Sequence, residues 1–123
     1  MKENLSDNLK KGVNYTMKTI KRKIAETVFL SKSTMFYIKD KEKSKVFYGI
    51  MDEDNNSLYV RASKEKFFKD NITTNCLIQG DDSPKQYKVL QCDYGQVVDY
   101  LIKVNDKYQT VKCLRIQLEN VAN

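Results

Sequence analysis

Several residue types that carry enzyme and metal chemistry are missing or rare in this sequence of 123 residues. It has no His, which excludes Ser-His and Cys-His nucleophilic mechanisms and every histidine-ligated metal site. The four glycines are scattered along the chain, so no glycine-rich loop for phosphates or dinucleotides is present. Apolar runs last only a few residues, far short of the ~20 that a membrane-spanning helix needs. No apolar segment follows the polar N-terminus, so we expect neither a signal peptide nor a membrane partner.

The three cysteines are too few and too widely separated for a disulfide framework or a zinc site. No Cys-x-x-Cys pair occurs, and the spacings between Cys76, Cys92 and Cys113 are long. Cys76 and Cys113 lie within apolar stretches, which indicates buried core thiols. We therefore expect a cytoplasmic protein, of a cell or of a virus or mobile element acting in a reducing cytosol.

The acidic residues show no catalytic or metal-binding pattern. Asp52, Asp54 and Asn56 begin like a calcium-binding loop, but Ser57 and Ser63 stand where that loop needs Gly and Glu. A solvated hairpin loop is the better interpretation of this segment. None of the many Tyr and Lys residues is singled out as a general acid or base. We expect a protein that is not an enzyme and holds no metal and no cofactor.

Positive charge is what the sequence does contain, and it is concentrated in the first third. Residues 1–45 carry twelve basic and five acidic side chains, a net charge of +7, whereas residues 46–123 carry ten and eleven, a net charge of −1. Such a basic block attracts polyanions, because each neutralised phosphate releases condensed counterions. A solvated helix face has the same composition. The candidate phosphate contacts within the block are Lys18, Lys21, Arg22 and Lys23.

Two interpretations of the basic segment, residues 1–30, stay open. Apolar residues recur at the spacing of an amphipathic helix, at Leu5, Leu9, Val13, Met17, Ile20, Ile24 and Val28. The alternative is a short helix over residues 4–14 followed by a strand over residues 18–30. Gly12 and several threonines weaken a continuous helix, so the pattern slightly favours the second interpretation.

A β pattern begins at residue 34. The predicted strands cover residues 35–38, 46–51, 58–62, 74–79, 86–92, 96–104 and 108–118, with a polar turn over residues 39–45. A short helix is predicted over residues 63–71, with Ser63 as its N-cap and Asn71 near its C-terminal end.

The sequence therefore predicts a mainly β (α+β) fold with one domain, residues 1–123. In it a basic N-terminal segment packs on a β domain, residues 31–123, which is a small antiparallel sheet or a half-open barrel. The strand–strand–strand–helix–strand order resembles that of the five-stranded OB barrel, which binds single-stranded oligonucleotides across its middle strands.

Aromatic and basic residues alternate on the first and third predicted strands. Leu58 and Val60 are expected in the core, which turns Tyr59 and Arg61 outward. By the same alternation, Phe36 and Ile38 point inward and turn Tyr37 and Lys39 outward.

On the middle strand either face could be buried, the one with Phe47 or the one with Tyr48. Gly49 leaves room there for a close approach. If the three strands are neighbours, Tyr37, Phe47 and Tyr59 form an aromatic platform edged by Lys39, Lys45 and Arg61. Stacking one base on such a ring contributes about 1–3 kcal/mol. Core packing and a protein–protein patch are the alternatives for these rings.

Two functions follow from these patterns. The first is a non-catalytic nucleic-acid-binding protein for single-stranded DNA or RNA, which holds phosphates with the helix cations and stacks bases on the platform. The second is a small protein-binding inhibitor or adaptor encoded by a phage or mobile element, which docks its basic segment on an acidic surface. Small size, the lack of a catalytic constellation and a composition rich in Lys and Asn support the second.

Overall fold

The computed structural model describes the backbone of residues 2–39 and 45–121, and the side chains from residue 17 onward within those ranges. Most of the predicted turn over residues 39–45 therefore lies outside the described residues. Two single-turn 3₁₀ helices are present, Glu53–Asn55 and Ala62–Lys64. The other elements are α1 (Lys2–Lys32), β1 (Thr34–Ile38), β2 (Lys45–Asp52), β3 (Ser57–Arg61), α2 (Glu65–Asn71), β4 (Leu77–Gly80), β5 (Gln86–Cys92), β6 (Val98–Val104) and β7 (Lys107–Val121).

Six of the strands form a closed antiparallel barrel in the order β1–β2–β3–β7–β5–β4, with β4 paired back to β1. Pairing of β3 with β7 closes it, and Val60 lies opposite Leu114 at that seam. β6 is an additional strand at the edge of β7. This confirms the predicted mainly β fold with an N-terminal helix and one short helix, and the barrel is consistent with an OB-like fold.

Apolar side chains from alternate strand positions fill the barrel, as the twofold period of a strand requires. The predicted core residues Leu58 and Val60 are fully buried there. α2 contributes Phe68, whose ring contacts that of Phe47 edge to face at a centroid distance of 5.6 Å. The other fully buried members of this core are Ile38, Ile72, Ile78, Val89, Leu114 and Ile116.

β5 and β6 lie end to end along one edge of β7. β5 pairs with residues 116–121 and β6 with residues 107–113, while β3 occupies the other edge. A two-residue turn joins β6 to β7, with Asn105 and Asp106 at φ of 50° and 65°, the left-handed backbone that a tight hairpin needs. β6 and the first half of β7 thus form a two-stranded extension of the barrel, called the ribbon below.

α1 is one continuous helix of 31 residues, so the favoured interpretation of residues 18–30 as a strand is wrong. Ala25 and Phe29 pack against the outer face of β7 and the ribbon, where they are 2% and 0% exposed. These tertiary contacts outweigh the low helix propensity of the threonines. None of the helices in the described part of the chain has the continuous apolar length of a membrane span.

The predicted apolar stripe of α1 is only partly used for packing. Val28 is partly buried against the ribbon, but Met17, Ile20 and Ile24 are 55%, 50% and 46% exposed. The side chains of the remaining stripe residues, Leu5, Leu9 and Val13, lie outside the described residues.

The start of the short helix also differs from the prediction. Ser63 is not an N-cap, because a 3₁₀ turn leads directly into α2 and no side chain caps either helix. Asn71 ends α2 as predicted, and its Nδ2 donates to the Phe67 carbonyl at 2.8 Å. β4 begins three residues later than predicted, because Asn75 adopts a left-handed turn with φ of 75°.

Candidate nucleic-acid interface

The first three strands are neighbours, as the platform hypothesis requires, but one of its rings is in the core. Tyr37 and Tyr59 lie on the outer face, partly exposed, as predicted. Phe47 is only 4% exposed and stacks on Phe36 inside the barrel at a centroid distance of 5.7 Å. Its place in the platform is therefore a wrong prediction. The ring is needed to fill the barrel between Phe36 and Phe68.

Tyr37 and Tyr59 do not share one surface patch. Tyr37 lies opposite Val46 and Tyr59 opposite Ile50, on the two sides of β2 and four residues apart along it. At about 3.3 Å per residue and 4.8 Å per strand, the two positions are roughly 16 Å apart. Tyr59 instead contacts Tyr100 at a centroid distance of 5.3 Å, in the cluster beneath α1. The predicted three-ring platform does not form.

Gly49 faces the barrel interior and leaves no space for a ligand. A Cβ atom there would lie 2.9 Å from both Leu58 Cδ1 and the Tyr59 carbonyl oxygen, and 3.1 Å from Val60 Cγ1. Glycine at this position is explained by the close approach of β3 to β2. The predicted room for another molecule is filled by the protein itself.

The platform hypothesis predicts Phe47 at the outward position on β2, but Tyr48 occupies that face, and its side chain is 46% exposed. It lines a groove of about 290 Å³, called the β2–α2 groove below, together with Arg61 and Lys64. The apolar lining includes Val46, which is 51% exposed, and Phe67. The groove therefore combines an accessible aromatic ring with two cationic side chains.

The charges around the β2–α2 groove are predominantly positive. In the part of the chain that the structure describes, neither Arg61 nor Lys64 has a salt-bridge partner. The nearby acid Glu65 is already paired with Lys69 at 2.9 Å. The exposed residues Lys39 and Lys45 lie at one end of the neighbouring β1–β2 pair, since Lys45 is opposite Ile38.

Tyr94 holds α2 in the position that forms this groove. Its hydroxyl lies 2.8 Å from each of the carbonyl oxygens of Phe68 and Ile72, at the end of α2. Burial raises the pKa of Tyr94 above its ordinary value, so the hydroxyl stays protonated and donates. The wall of the groove is therefore anchored by a partly buried side chain.

The four predicted helix cations are all exposed, on a different part of the surface. Lys21 lines a second groove, of about 420 Å³, between α1 and the turn of the ribbon. Val104, Asn105 and Lys107 line it from the ribbon side, and Lys107 adds one more cation. This helix–ribbon groove and the β2–α2 groove share no lining residue. The structure thus brings Arg61 to Tyr48 and leaves the exposed set Lys18, Lys21, Arg22 and Lys23 apart.

The sequence prediction named Phe47 and Arg61 of the β2–α2 groove and missed its other five lining residues, Val46, Tyr48, Lys64, Phe67 and Phe68. One signal in the sequence could have identified Tyr48. Phe47 and Tyr48 are neighbours and so lie on opposite faces of the strand. Tyr48 is the better candidate for the solvent-exposed face, because its phenol hydroxyl would need a hydrogen-bond partner if it were buried. Lys64 ends the 3₁₀ turn that leads into α2, and Phe67 follows it by three residues, about one helical turn, which places the two side chains on one side.

A buried carboxylate lies where the chain leaves β5. Asp93 is 8% exposed and accepts hydrogen bonds from Gln91 Nε2 at 2.6 Å, Arg115 Nε at 3.1 Å and Gln117 Nε2 at 3.4 Å. Burial by itself would raise the pKa of Asp93. The three hydrogen bonds and the charge of Arg115 outweigh it, and the pKa is lowered. Asp93 thereby fixes Arg115 on the outer face of β7.

Because folding lowers the pKa of Asp93, the free energy of unfolding depends on pH in the acidic range. The contribution of Asp93 is complete above the unfolded pKa of about 3.9 and is lost as the pH falls through the folded value. We expect Asp93→Asn to lower the unfolding free energy at neutral pH by about 1–3 kcal/mol and to flatten its decline below about pH 4. Urea denaturation at a series of pH values measures both effects. Asp54→Asn is the control, at an exposed carboxylate that has no salt bridge in the described part of the chain, and it should keep the wild-type acid dependence.

The cysteines are free thiols in the described structure. Cys76 and Cys113 are buried as predicted, and Cys92 is half-buried. Burial raises the pKa of the Cys113 thiol to about 12 and also raises that of Cys92. Among the described residues, no three Cys, Asp or Glu side chains are grouped so that they could hold a metal ion.

Comparisons with protein-family models, with curated proteins and with solved structures found no match to this chain. The function is therefore inferred from the chemistry of the surface itself.

Proposed function

We propose that this protein is a non-catalytic binder of single-stranded nucleic acid. The β2–α2 groove is the observation that carries the proposal, because it places the half-exposed ring of Tyr48 beside Arg61 and Lys64. Aromatic rings stack on bases, and cationic side chains contact the phosphates that connect them. The groove offers both kinds of contact within one short length of strand.

Single strands fit this groove better than a duplex does. The face of a base is accessible to a protein ring only where the base is unstacked from its neighbours. Stacking on Tyr48 tolerates any base. Arg61 and Lys64 are assigned to phosphates in this proposal, and among the described residues that line the groove there is no Asn, Gln, Asp, Glu, Ser or Thr side chain that could read base edges. We therefore expect little sequence preference.

The cations of α1 provide a second region of phosphate contact in this proposal. Lys18, Lys21, Arg22 and Lys23 are exposed, and Lys107 of the ribbon lies close to Lys21. Contacts of this kind are independent of sequence and weaken with salt, because counterions are released on binding. The two regions thus make separable contributions: the β2–α2 groove combines stacking with the charges of Arg61 and Lys64, and α1 contributes charge alone.

Replacing Tyr48 with Ala is expected to weaken binding to a single-stranded oligonucleotide by about 5- to 150-fold, the loss of one stacked base. The salt dependence should stay nearly unchanged, because no cation is removed. Fluorescence anisotropy with single-stranded and duplex oligonucleotides of one sequence, at two salt concentrations, measures both quantities. Tyr108→Ala is the matched control, since Tyr108 is 69% exposed and lies on the ribbon, away from the groove.

A second pair of variants tests the position of the charge. Lys64→Gln and Lys66→Gln remove the same charge two residues apart, but only Lys64 lines the groove. We expect the first to weaken binding several-fold more than the second. Equal losses would contradict the groove as the site. The absence of any anisotropy change with every oligonucleotide, together with a stoichiometric protein partner, would favour the protein-binding alternative.

A further inference from the structure

β6 is an edge strand with one open side. Within residues 45–121, β7 is the only strand that pairs with it. The backbone groups along the other side therefore have no strand partner, which is the usual starting point for pairing with another chain. Leu101, at the centre of β6, is 63% exposed and is therefore accessible to a partner chain.

The two faces of β6 differ in chemistry. Val98, Tyr100, Ile102 and Val104 face α1 and belong to the apolar cluster beneath that helix. The opposite face carries the odd-numbered residues Asp99, Leu101 and Lys103, all of them exposed. An acid, an apolar residue and a base thus follow one another on the open face, with Leu101 in the middle.

We propose that β6 pairs antiparallel with the β6 strand of a second copy of this chain, about a twofold axis through Leu101. Residues directly opposite in an antiparallel pair share a face, so the α1 sides of the two copies become continuous. With Leu101 opposite Leu101 of the second copy, Asp99 lies opposite Lys103 in two symmetric pairs. A shift of two residues in either direction would place a charge opposite Leu101 instead. Charge complementarity therefore selects one register and makes β6 complementary to itself.

The pairing also extends the apolar cluster beneath α1. In this register Tyr100 lies opposite Ile102 of the second copy, and Val98 lies opposite Val104. These side chains already pack with Phe29 and Val28 of their own chain. The result is a four-stranded sheet in which the open backbone edge of each copy is paired and Leu101 is covered. Asp99 keeps its own Lys112 as a neighbour and gains a second cation.

The test measures the molar mass by light scattering during gel filtration, over a range of protein concentrations and without nucleic acid. Wild-type protein is expected to reach twice the chain mass. Asp99→Lys and Lys103→Asp each turn two opposite-charge pairs into two like-charge pairs. Each is expected to raise the dissociation constant of the dimer at least about tenfold. The double variant Asp99→Lys with Lys103→Asp restores both pairs with reversed polarity and should recover the dimer.

Two controls separate pairing from other effects. Lys112→Gln removes the intramolecular partner of Asp99 and should leave the dimer intact. Leu101→Cys should form an oxidised dimer, because the two substituted positions meet on the axis. Thr110→Cys, opposite Leu101 on the same face but one strand away from the axis, should not. A wild-type mass that stays monomeric at every concentration would overturn the proposal, as would a double variant no better than the single ones. The result is independent of the proposed nucleic-acid binding, because no oligonucleotide is present.

Discussion

Replacing Phe29 with Ala is expected to lower the free energy of unfolding by about 3–5 kcal/mol, the range for removing a large aromatic side chain from a core. Phe29 is completely buried between α1 and the ribbon. Its ring contacts that of Tyr100 edge to face at a centroid distance of 5.5 Å. No neighbouring side chain can fill the cavity without moving the helix, because the partners belong to a paired sheet. The variant therefore weakens the attachment of α1 to the barrel.

Urea denaturation followed by far-ultraviolet circular dichroism measures this loss. Ile20→Ala is the matched control on the same helix, since Ile20 is 50% exposed and its truncation should cost less than about 1 kcal/mol. Similar losses for the two variants would contradict the packing of α1 through Phe29. A separate early loss of helix signal in Phe29→Ala would indicate that α1 detaches before the barrel unfolds.

Replacing the four exposed helix cations together with Ala is expected to remove most of the salt dependence of nucleic-acid binding. Each phosphate contact on a single strand contributes about 0.7 to the slope of log affinity against log salt concentration, so four contacts contribute roughly 3. Alanine is the best helix former, and the four side chains are exposed, so α1 should be preserved. The variant combines Lys18→Ala, Lys21→Ala, Arg22→Ala and Lys23→Ala.

A control with the same loss of net charge tests whether the contact is directed. Its four substitutions are at exposed lysines outside both grooves, and the slope should change by less than about 1. Equal slopes for the two variants would mean that the total charge of the protein, and no particular surface, attracts the nucleic acid. The control combines Lys32→Ala, Lys66→Ala, Lys85→Ala and Lys112→Ala.

The effects of losing the stacking ring and of losing the helix cations should be additive when the variants are combined. Tyr48 lines the β2–α2 groove, whereas Lys21 of α1 lines the helix–ribbon groove, and the two grooves share no residue. The effects of the two sets of substitutions on the binding free energy should therefore add. The combination of Tyr48→Ala with the four helix substitutions would then show the product of the two affinity losses. A combined loss equal to the larger single loss would mean that one region does not contact the oligonucleotide in the wild-type complex.

For the segments after residue 34, local alternation was sufficient to predict the strands and the inner faces of two of them. On β3, Leu58 and Val60 are flanked by Tyr59 and Arg61, so only one face is fully apolar. The structure buries that face. The position of the basic block was likewise evident from the chain alone, because it depends only on residue order.

Local sequence could not decide whether residues 18–30 form a helix or a strand. The local propensities of this segment are weak in both directions. Packing of Ala25 and Phe29 on the ribbon decides the outcome, and the ribbon residues that they contact are more than sixty positions away in the sequence. Such contacts cannot be deduced from the periodicity of the segment itself.

By itself the sequence determined which segments after residue 34 are strands, where the positive charge is concentrated, and that Arg61 and Tyr37 point outward. The phenol hydroxyl of Tyr48 was a weak signal in the sequence, and it was the tertiary structure that decided that Phe47 is buried and Tyr48 exposed, and that Arg61 and Lys64 meet beside the Tyr48 ring. The physical reason is that β2 carries aromatic and apolar side chains on both faces, so its sequence is compatible with burial of either one. Alternation shows that the faces differ, but the partner rings of Phe36 and Phe68, brought in by barrel closure and by α2, determine which face is covered.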